Sequence, residues 1–195
     1  MQILISCLLL LTAKHSYEKL RAEVIGNANA EERAEIQSLP YLSGVVKEGL
    51  RISMANPTRL PRLVPASGWA FKGISLPPLS IVGCSAYELH LNPTVFPDPS
   101  AFRPERWLDG NVTPEMNTHS FGFGAGSRAC IARNLAMTEL YMATEKLAES
   151  GVLLGASPCQ DLIEIYEWFN SSVKREKVEL VWETARDKEL QTNKI

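Results

Sequence analysis

The residue best placed to do chemistry in this sequence is Cys130, which follows a loop with glycine at every second position. These glycines (Gly122, Gly124 and Gly126) let the backbone turn tightly and approach another group closely. Cys130 also precedes a predicted helix, whose unpaired N–H groups and dipole favour negative charge on the thiol. Arg128 adds a positive charge two residues earlier. The pattern indicates a thiolate that acts as a nucleophile or as a metal ligand.

Three interpretations of Cys130 stay open at this level. A cysteine in a glycine-rich turn is often a buried structural residue. A nucleophilic cysteine needs a neighbouring base, and no histidine has a recognisable catalytic context. The histidines are His15, His90 and His119. The third interpretation is a metal-bound thiolate, and haem iron is one metal that a single cysteine holds.

The other cysteines favour neither zinc binding nor a disulfide framework. They are Cys7, Cys84 and Cys159. Zinc sites and redox pairs use C-x-x-C or similar clusters, and this sequence has none. Four cysteines in 195 residues are also too sparse for a disulfide scaffold. The phosphate-binding pattern G-x-x-x-x-G-K-[ST] is absent as well.

Two further motifs pair a carboxylate with a guanidinium. Glu48 and Arg51 are three residues apart, on one face of a predicted helix, where the simplest interpretation is a surface ion pair. The segment Pro104-Glu105-Arg106-Trp107 supplies a second pair, with the tryptophan as an apolar anchor. Both patterns arise often by chance, so neither predicts a function alone.

Apolar periodicity predicts the helices that position these motifs. A first amphipathic helix covers residues 16–25 and ends near Gly26. Its inner face carries Tyr17, Leu20 and Val24. A second helix has Ser38 as its N-cap and Pro40 in its first turn, and it ends before Asn56. This second helix carries the first charge pair.

The rest of the chain predicts one long helix and several short strands. The helix covers residues 132–150 and ends at Gly151. Its inward residues are predicted to be Leu135, Ala136, Leu140, Ala143 and Leu147. Strands are predicted at residues 69–71, 80–84 and 178–182. Residues 92–109 contain four prolines and predict a long ordered loop.

Length and composition indicate one globular domain over residues 1–195. With 45% hydrophobic and 22% charged residues, the chain is not disordered, collagenous or a coiled coil. A net charge of −2 gives no support for nucleic-acid binding. The apolar run at residues 3–11 is shorter than the roughly 20 residues of a membrane span. A core helix and the apolar core of a signal peptide both stay open for it.

The order and spacing of the three motifs resemble the C-terminal portion of a cytochrome P450. The resemblance covers residues 17–147, and the cysteine loop is its most specific motif. It implies a mainly α fold with small β-sheets, of which this chain would be one partial domain. It further implies a haem-thiolate monooxygenase that contains haem b (iron protoporphyrin IX). Such an enzyme oxidises a small organic substrate with dioxygen and electrons from an NADPH-dependent reductase.

The resemblance also assigns roles to individual residues. It makes Cys130 the axial ligand of the haem iron and places Phe123 beside the haem. Gly126 would allow the hairpin-like turn, and Arg128 and Arg62 would pair with the haem propionates, which suit a fork-shaped guanidinium. The residues of the charge network implied behind the haem are Glu48, Arg51 and Arg106.

The sequence departs from the family pattern in two places. Ala132 stands where the family usually has glycine, and a small residue should fit there. A small-acidic-Thr motif for oxygen activation is expected before residue 17, but the sequence offers only Thr12, without an acidic partner. No catalytic residue is therefore identified, and the N-terminal half of the domain is expected to be absent.

Two alternatives remain open. One is a non-catalytic fragment or truncated copy that binds haem weakly or not at all. The other is a haem-thiolate enzyme that rearranges peroxides without a reductase, which the ordinary cysteine loop does not favour. By family analogy full-length relatives lie at the endoplasmic reticulum membrane and face the cytosol, but no convincing anchor is predicted for this chain.

Overall fold

The computed structural model describes residues 14–54, 56–159, 165–166, 172–173 and 179–182. The α-helices in these ranges are α1 (Lys14–Ala28), α2 (Pro40–Ser53), α3 (Ala86–His90), α4 (Pro114–His119) and α5 (Arg133–Ser150). Short 3-10 turns cover Ile36–Ser38, Pro104–Trp107 and Gly126–Arg128. The predicted apolar run at residues 3–11 and Thr12 lie outside the described residues.

The strands are short and pair in twos. They are β1 (Arg62–Leu63), β2 (Trp69–Phe71), β3 (Ile74–Leu76), β4 (Ile81–Val82), β5 (Ala156–Pro158), β6 (Ile165–Tyr166), β7 (Ser172–Val173) and β8 (Leu180–Trp182). The antiparallel pairs are β1 with β4, β2 with β3, β5 with β8, and β6 with β7. The prediction of a mainly α chain with small β-sheets is confirmed.

Helices α1, α2 and α5 enclose the main apolar core. Its buried members include Leu20, Val24, Leu42, Val45, Leu140, Tyr141 and Ala148. The predicted inner face of α1 is confirmed, because Tyr17, Leu20 and Val24 are all buried. Each such side chain contributes about 1.5–3 kcal/mol relative to an exposed one. This three-helix packing fixes the direction of α2, which carries the first charge pair.

The predicted N-cap of α2 is wrong. Leu39 stands at the cap position, and the hydroxyl of Ser38 instead donates to the carbonyl of Glu35. The N–H groups of Tyr41 and Leu42 donate to the carboxylate of Glu23 on α1, each at 2.8 Å. A carboxylate satisfies these N–H groups better than a hydroxyl does, because it also stabilises the positive end of the helix dipole.

The predicted inner face of α5 is only half correct. The helix ends as expected at Gly151, which has a left-handed φ of 68°. Leu140 is buried, but Leu135 is 63% exposed, so its predicted inward position is wrong. The reason is that the buried residues of α5 begin at Leu140, in the part of the helix that packs against the α1–α2 core.

The predicted strands lie at the correct positions in the sequence, but not all of them have the predicted length. The predicted strand at residues 69–71 is confirmed as β2, whereas the one at 80–84 is reduced to β4. The late edge strand is confirmed as β8, although Val178 lies outside the described residues. In the described ranges, no helix combines the length and apolar character that crossing a bilayer requires.

The predicted loop at residues 92–109 is ordered and lies against α2. Its 3-10 turn packs so closely that a Cβ on Gly44 would lie 2.7 Å from the carbonyl oxygen of Pro104. A glycine is therefore required in mid-helix, although glycine there normally destabilises a helix by about 1 kcal/mol relative to alanine.

This close approach predicts the effect of adding one methyl group. We expect Gly44→Ala to lower the free energy of unfolding by about 1–3 kcal/mol, because the backbone of the turn at Pro104 must move. In the control Gly26→Ala, the new Cβ on α1 meets nothing within 4 Å. That variant should be neutral or stabilising by up to about 1 kcal/mol. Urea unfolding measures both, and equal effects would contradict the packing argument.

Candidate functional site

The carboxylate of Glu48 is fully buried and accepts five hydrogen bonds. Its Oε1 accepts from Arg51 Nη2 at 2.8 Å, from Arg106 Nε at 2.9 Å and from the backbone N–H of Arg103 at 3.0 Å. Its Oε2 accepts from Arg51 Nε at 2.9 Å and from the indole Nε1 of Trp107 at 2.8 Å. The structure thus brings the three predicted network residues into one ion-pair cluster, rather than the surface pair that spacing alone suggested.

Arg51 connects this cluster to the following loop. Its side chain is 1% exposed and faces Glu48 with two nitrogens. The third nitrogen, Nη1, donates to the carbonyl oxygens of His90 at 2.9 Å and Pro99 at 2.6 Å. The guanidinium also lies over the ring of Phe96, with Cζ 5.1 Å from the centroid. Every nitrogen of this buried cation therefore has a partner.

Arg106 holds the same loop from the other side. Its Nε donates to Glu48, and its Nη1 donates to the carbonyl of Pro97 at 2.8 Å. Its Nη2 donates to the carbonyls of Asp98 at 3.0 Å and Ala101 at 3.2 Å. One carboxylate thus faces two guanidinium groups, and backbone carbonyls of residues 97–101 compensate the excess positive charge.

Sequence reasoning missed two members of this cluster. Trp107 was expected to be only an apolar anchor, yet its indole N–H donates to Glu48. A signal was available, since a buried indole N–H needs an acceptor. His90 was dismissed for lack of catalytic context, and no local motif marks it. Its partners come from segments that only the fold brings together.

His90 is buried and hydrogen-bonded at both ring nitrogens. Its Nδ1 lies 2.8 Å from the carbonyl oxygen of Arg51, and its Nε2 accepts the N–H of Phe121 at 2.8 Å. A carbonyl only accepts and a backbone N–H only donates, so these partners assign the neutral tautomer with the proton on Nδ1. Burial lowers the pKa of His90 to about 4, in agreement with that assignment.

Residues 121–130 form the Cys loop, which folds as a tight hairpin. The N–H of Gly124 donates to the carbonyl of Phe121 at 3.0 Å, and that of Cys130 to the carbonyl of Phe123 at 2.9 Å. Gly124 and Gly126 have φ angles of +69° and +70°, which an L-residue adopts only with strain. The hairpin leaves the Cys130 side chain exposed just before α5.

Of the two predicted propionate-binding arginines, Arg128 belongs to this hairpin and Arg62 lies two residues after a residue that contacts it; neither carries an ion pair within the described residues. Leu60 packs against the Cys loop, since its Cδ1 would lie 3.4 Å from a Cβ on Gly124, and Arg62 follows two residues later in β1. The side chain of Arg62 donates to the carbonyl of Pro61. Arg128 is exposed in the 3-10 turn of the loop.

These residues fit a haem group by the chemistry of their donors. The exposed Cys130 offers a soft sulfur ligand, and a Cβ on Gly126 would meet nothing within 4 Å. The apolar side chains of Ile131 and Leu135, which follow the thiol in the chain, are exposed as well. Elsewhere in the described ranges, no group of three or more His, Cys, Asp or Glu side chains could hold a metal ion.

A separate cavity of about 690 Å³ lies on the side of the charge cluster. Thr94, Arg103 and Met116 are among its lining residues, and Arg106 is shared with the cluster. It contains neither a thiol nor a histidine, so the chemistry that the sequence predicts belongs to the Cys loop and not to this cavity.

Removing the charge of Glu48 tests the cluster. In Glu48→Gln, two guanidinium groups lose their counter-charge in a buried site, and we expect the free energy of unfolding to fall by about 3–5 kcal/mol. The control Glu149→Gln breaks an exposed ion pair with Lys146 and should leave stability unchanged within error. Similar urea midpoints for the two variants would contradict a buried network.

The pKa of His90 predicts a pH dependence of stability. Between about pH 6.5 and pH 4 the unfolded chain binds a proton on this histidine and the folded chain does not. The contribution of His90 to the free energy of unfolding should therefore fall by roughly 3 kcal/mol as the pH drops through this window, and this contribution should change no further below pH 4. Above pH 6.5 the contribution is fully present.

Comparing wild type with His90→Gln isolates this contribution from that of the carboxylates. Arg51 and Glu48 on α2 and His119 on α4 also act on the His90 ring, and all three remain in the variant. Unfolding curves at several pH values should show the difference between the two proteins shrinking from pH 7 to pH 4. Parallel profiles would contradict the prediction.

Comparison with known proteins agrees with this geometry. A family model described as Cytochrome P450 matches residues 3–148. The cytochrome P450 monooxygenase mfmF of Annulohypoxylon moriforme is 49% identical over 153 residues, which cover 75% of this chain and 31% of that protein. Fusicoccadiene C-8 hydroxylase of Alternaria brassicicola is 46% identical over 118 residues, which cover 60% of this chain and 22% of that protein.

A solved structure shows the same fold. The cytochrome P450DA heme domain superposes with a TM-score of 0.72 at 20% identity, covering 95% of this chain and 41% of that one. The chain thus spans about a third or less of the two curated relatives. The resemblance first noted in the cysteine loop is confirmed by the family match over most of the sequence. The chain belongs to the cytochrome P450 family.

Proposed function

We propose that residues 1–195 are one partial cytochrome P450 domain that binds haem b through the thiolate of Cys130. The whole protein would be a monooxygenase that uses dioxygen and electrons from an NADPH-dependent reductase. When bound, the haem supplies the activation of dioxygen, and a thiolate ligand favours O–O cleavage by donating electron density. The residues of this chain would hold that thiolate and the edge of the haem in place.

The observation that carries this proposal is the setting of Cys130. Its thiol is exposed at the end of a hydrogen-bonded hairpin, and the N–H donated to Phe123 fixes the backbone at the ligand position. A structural cysteine would be buried, and a nucleophilic one would need a base, whereas His90 uses both ring nitrogens elsewhere. This setting favours a metal ligand over a buried structural cysteine or a nucleophile.

The surrounding residues suit the other parts of the haem. Arg62 and Arg128 would bind the propionates, because a guanidinium pairs with a carboxylate through two parallel hydrogen bonds. Phe123 would pack beside the haem, and the guanidinium of Arg133 lies 5.9 Å from its ring centroid, which restricts the ring. Ile131 and Leu135 would cover apolar surface next to the ligand.

For the substrate we propose a small organic molecule that is hydroxylated at carbon. The name of one relative specifies hydroxylation of fusicoccadiene at C-8. We assign no proton-transfer role to any residue of this chain. Membrane association and the reductase partner are part of the same proposal and rest on the family.

A pair of cysteine variants tests the ligand. The full chain is loaded with haem b, reduced and exposed to carbon monoxide, and the Soret band is recorded. We expect the long-wavelength band of a thiolate-ligated haem in wild type and its loss in Cys130→Ala. The control Cys84→Ala removes another exposed thiol close to Leu60 and should keep the band.

Each outcome has a clear meaning. A wild-type chain without the long-wavelength band would overturn the haem-thiolate assignment for these residues. A band that persists in Cys130→Ala and disappears in Cys84→Ala would overturn the assignment of Cys130 and make Cys84 the haem ligand. Turnover of a substrate is not needed for either result.

A further inference from the structure

One hydrogen bond joins the Cys loop to a distant segment of the chain. Within the described residues, the other hydrogen bonds of residues 121–130 stay inside the loop or reach the first turn of α5. The exception is the N–H of Phe121, which donates to Nε2 of His90 at 2.8 Å across 31 residues. Among the residues that the structure describes, the polar attachment of the loop to more distant segments thus runs through the imidazole of His90.

That imidazole is itself held from two directions. The ring of His90 donates from Nδ1 to the carbonyl of Arg51, and the side chain of Arg51 donates to the carbonyl of His90. Each residue therefore binds the backbone of the other through its own side chain, which fixes the ring plane. Leu50 and the ring also flank Gly122, where a Cβ would lie about 4.0 Å from His90 Cε1.

We propose that His90 is a positioning residue for Cys130, connecting the Glu48–Arg51 cluster to the Cys loop through its neutral Nδ1–H tautomer. This inference rests on the proposed role of Cys130 as haem ligand. The path is continuous: Arg51 orients His90, His90 holds the N–H of Phe121, and the carbonyl of Phe121 accepts from Gly124. The carbonyl of Phe123 in that same turn then accepts the N–H of Cys130.

The hydrogen bond from Phe121 depends on the charge state of the His90 ring. A protonated ring would turn an N–H toward the N–H of Phe121, and the bond would be replaced by repulsion. Burial at 1% exposure disfavours the charged form, and burial lowers the pKa of His90 to about 4. The loop attachment therefore exists only with the neutral ring.

Two substitutions separate the functions of the two ring nitrogens. The side-chain amide of Asn places its nitrogen near the Nδ1 position, so His90→Asn can keep the donor to Arg51 but has no acceptor for Phe121. The longer amide in His90→Gln places its oxygen near the Nε2 position and can keep that acceptor. His90→Gln is thus the conservative variant for the Cys loop, and His90→Asn is its matched disruption.

The main measurement is amide hydrogen exchange, read residue by residue by NMR on the full chain. We expect His90→Asn to raise the exchange rates of the Phe121 and Cys130 amides about tenfold, while Leu140 in the α5 core stays unchanged. His90→Gln should keep both loop amides near their wild-type rates. Equal rates in wild type and His90→Asn would overturn the inference, and so would equal acceleration in both variants with Leu140 unchanged.

A measurement on the wild-type protein tests the inference even if the variants fail to fold. The nitrogen chemical shifts of His90 report the tautomer directly. A proton on Nδ1, together with slow exchange at Phe121, supports the inference. A proton on Nε2 overturns it.

The haem spectrum separates this inference from the proposed function. If wild type gives the thiolate band, His90→Gln should retain it and His90→Asn should show a smaller or shifted band. If wild type gives no band, the assignment of Cys130 fails, but the exchange rates still decide whether His90 holds the loop. The two failures are therefore distinguishable.

Discussion

The carboxylate of Glu48 lies out of contact with water and accepts five hydrogen bonds, and this constraint organises the structure around it. A buried carboxylate is costly unless charged partners surround it, so helix α2 and the 3-10 turn at Pro104–Trp107 must lie close together. Gly44 allows this close approach, because no side chain fits between the helix and the turn at that position. Electrostatics and packing therefore demand the same arrangement.

Hydrogen bonds connect this cluster to the Cys loop. Arg51 belongs both to the ion pairs and to the clamp on His90, and His90 in turn holds the first residue of the loop. A network of hydrogen bonds thus joins the buried charges to the first residue of the Cys loop. The thiol itself is exposed, as is the first part of α5 beyond it. An ordered backbone with an exposed side chain is the arrangement that the proposed haem ligand would need.

Features with a local cause could be predicted from the sequence. The inner face of α1, the left-handed stop at Gly151 and the strand at 69–71 each follow from a few neighbouring residues. The N-cap of α2 could not be predicted, because its acceptor, Glu23, belongs to another helix. His90 escaped for the same reason, since its partners are 39 and 31 residues away. Leu135 was assigned to the core because of its place in the apolar periodicity of α5. Periodicity predicts which face of a helix is apolar, but it does not predict where along the helix another element packs against that face.

The segment at residues 97–101 meets the two arginines of the cluster through backbone carbonyl oxygens alone. The acceptors belong to Pro97, Asp98, Pro99 and Ala101. Every amino acid presents the same carbonyl, so the contact depends on the path of the chain and hardly on its side chains. Residue identity at these positions therefore matters through the backbone path that it allows, as at Asp98, which has a left-handed φ of 50°. An insertion or deletion of one residue would instead shift all of these carbonyl acceptors relative to the two arginines. The contact therefore depends on the number of residues in this segment.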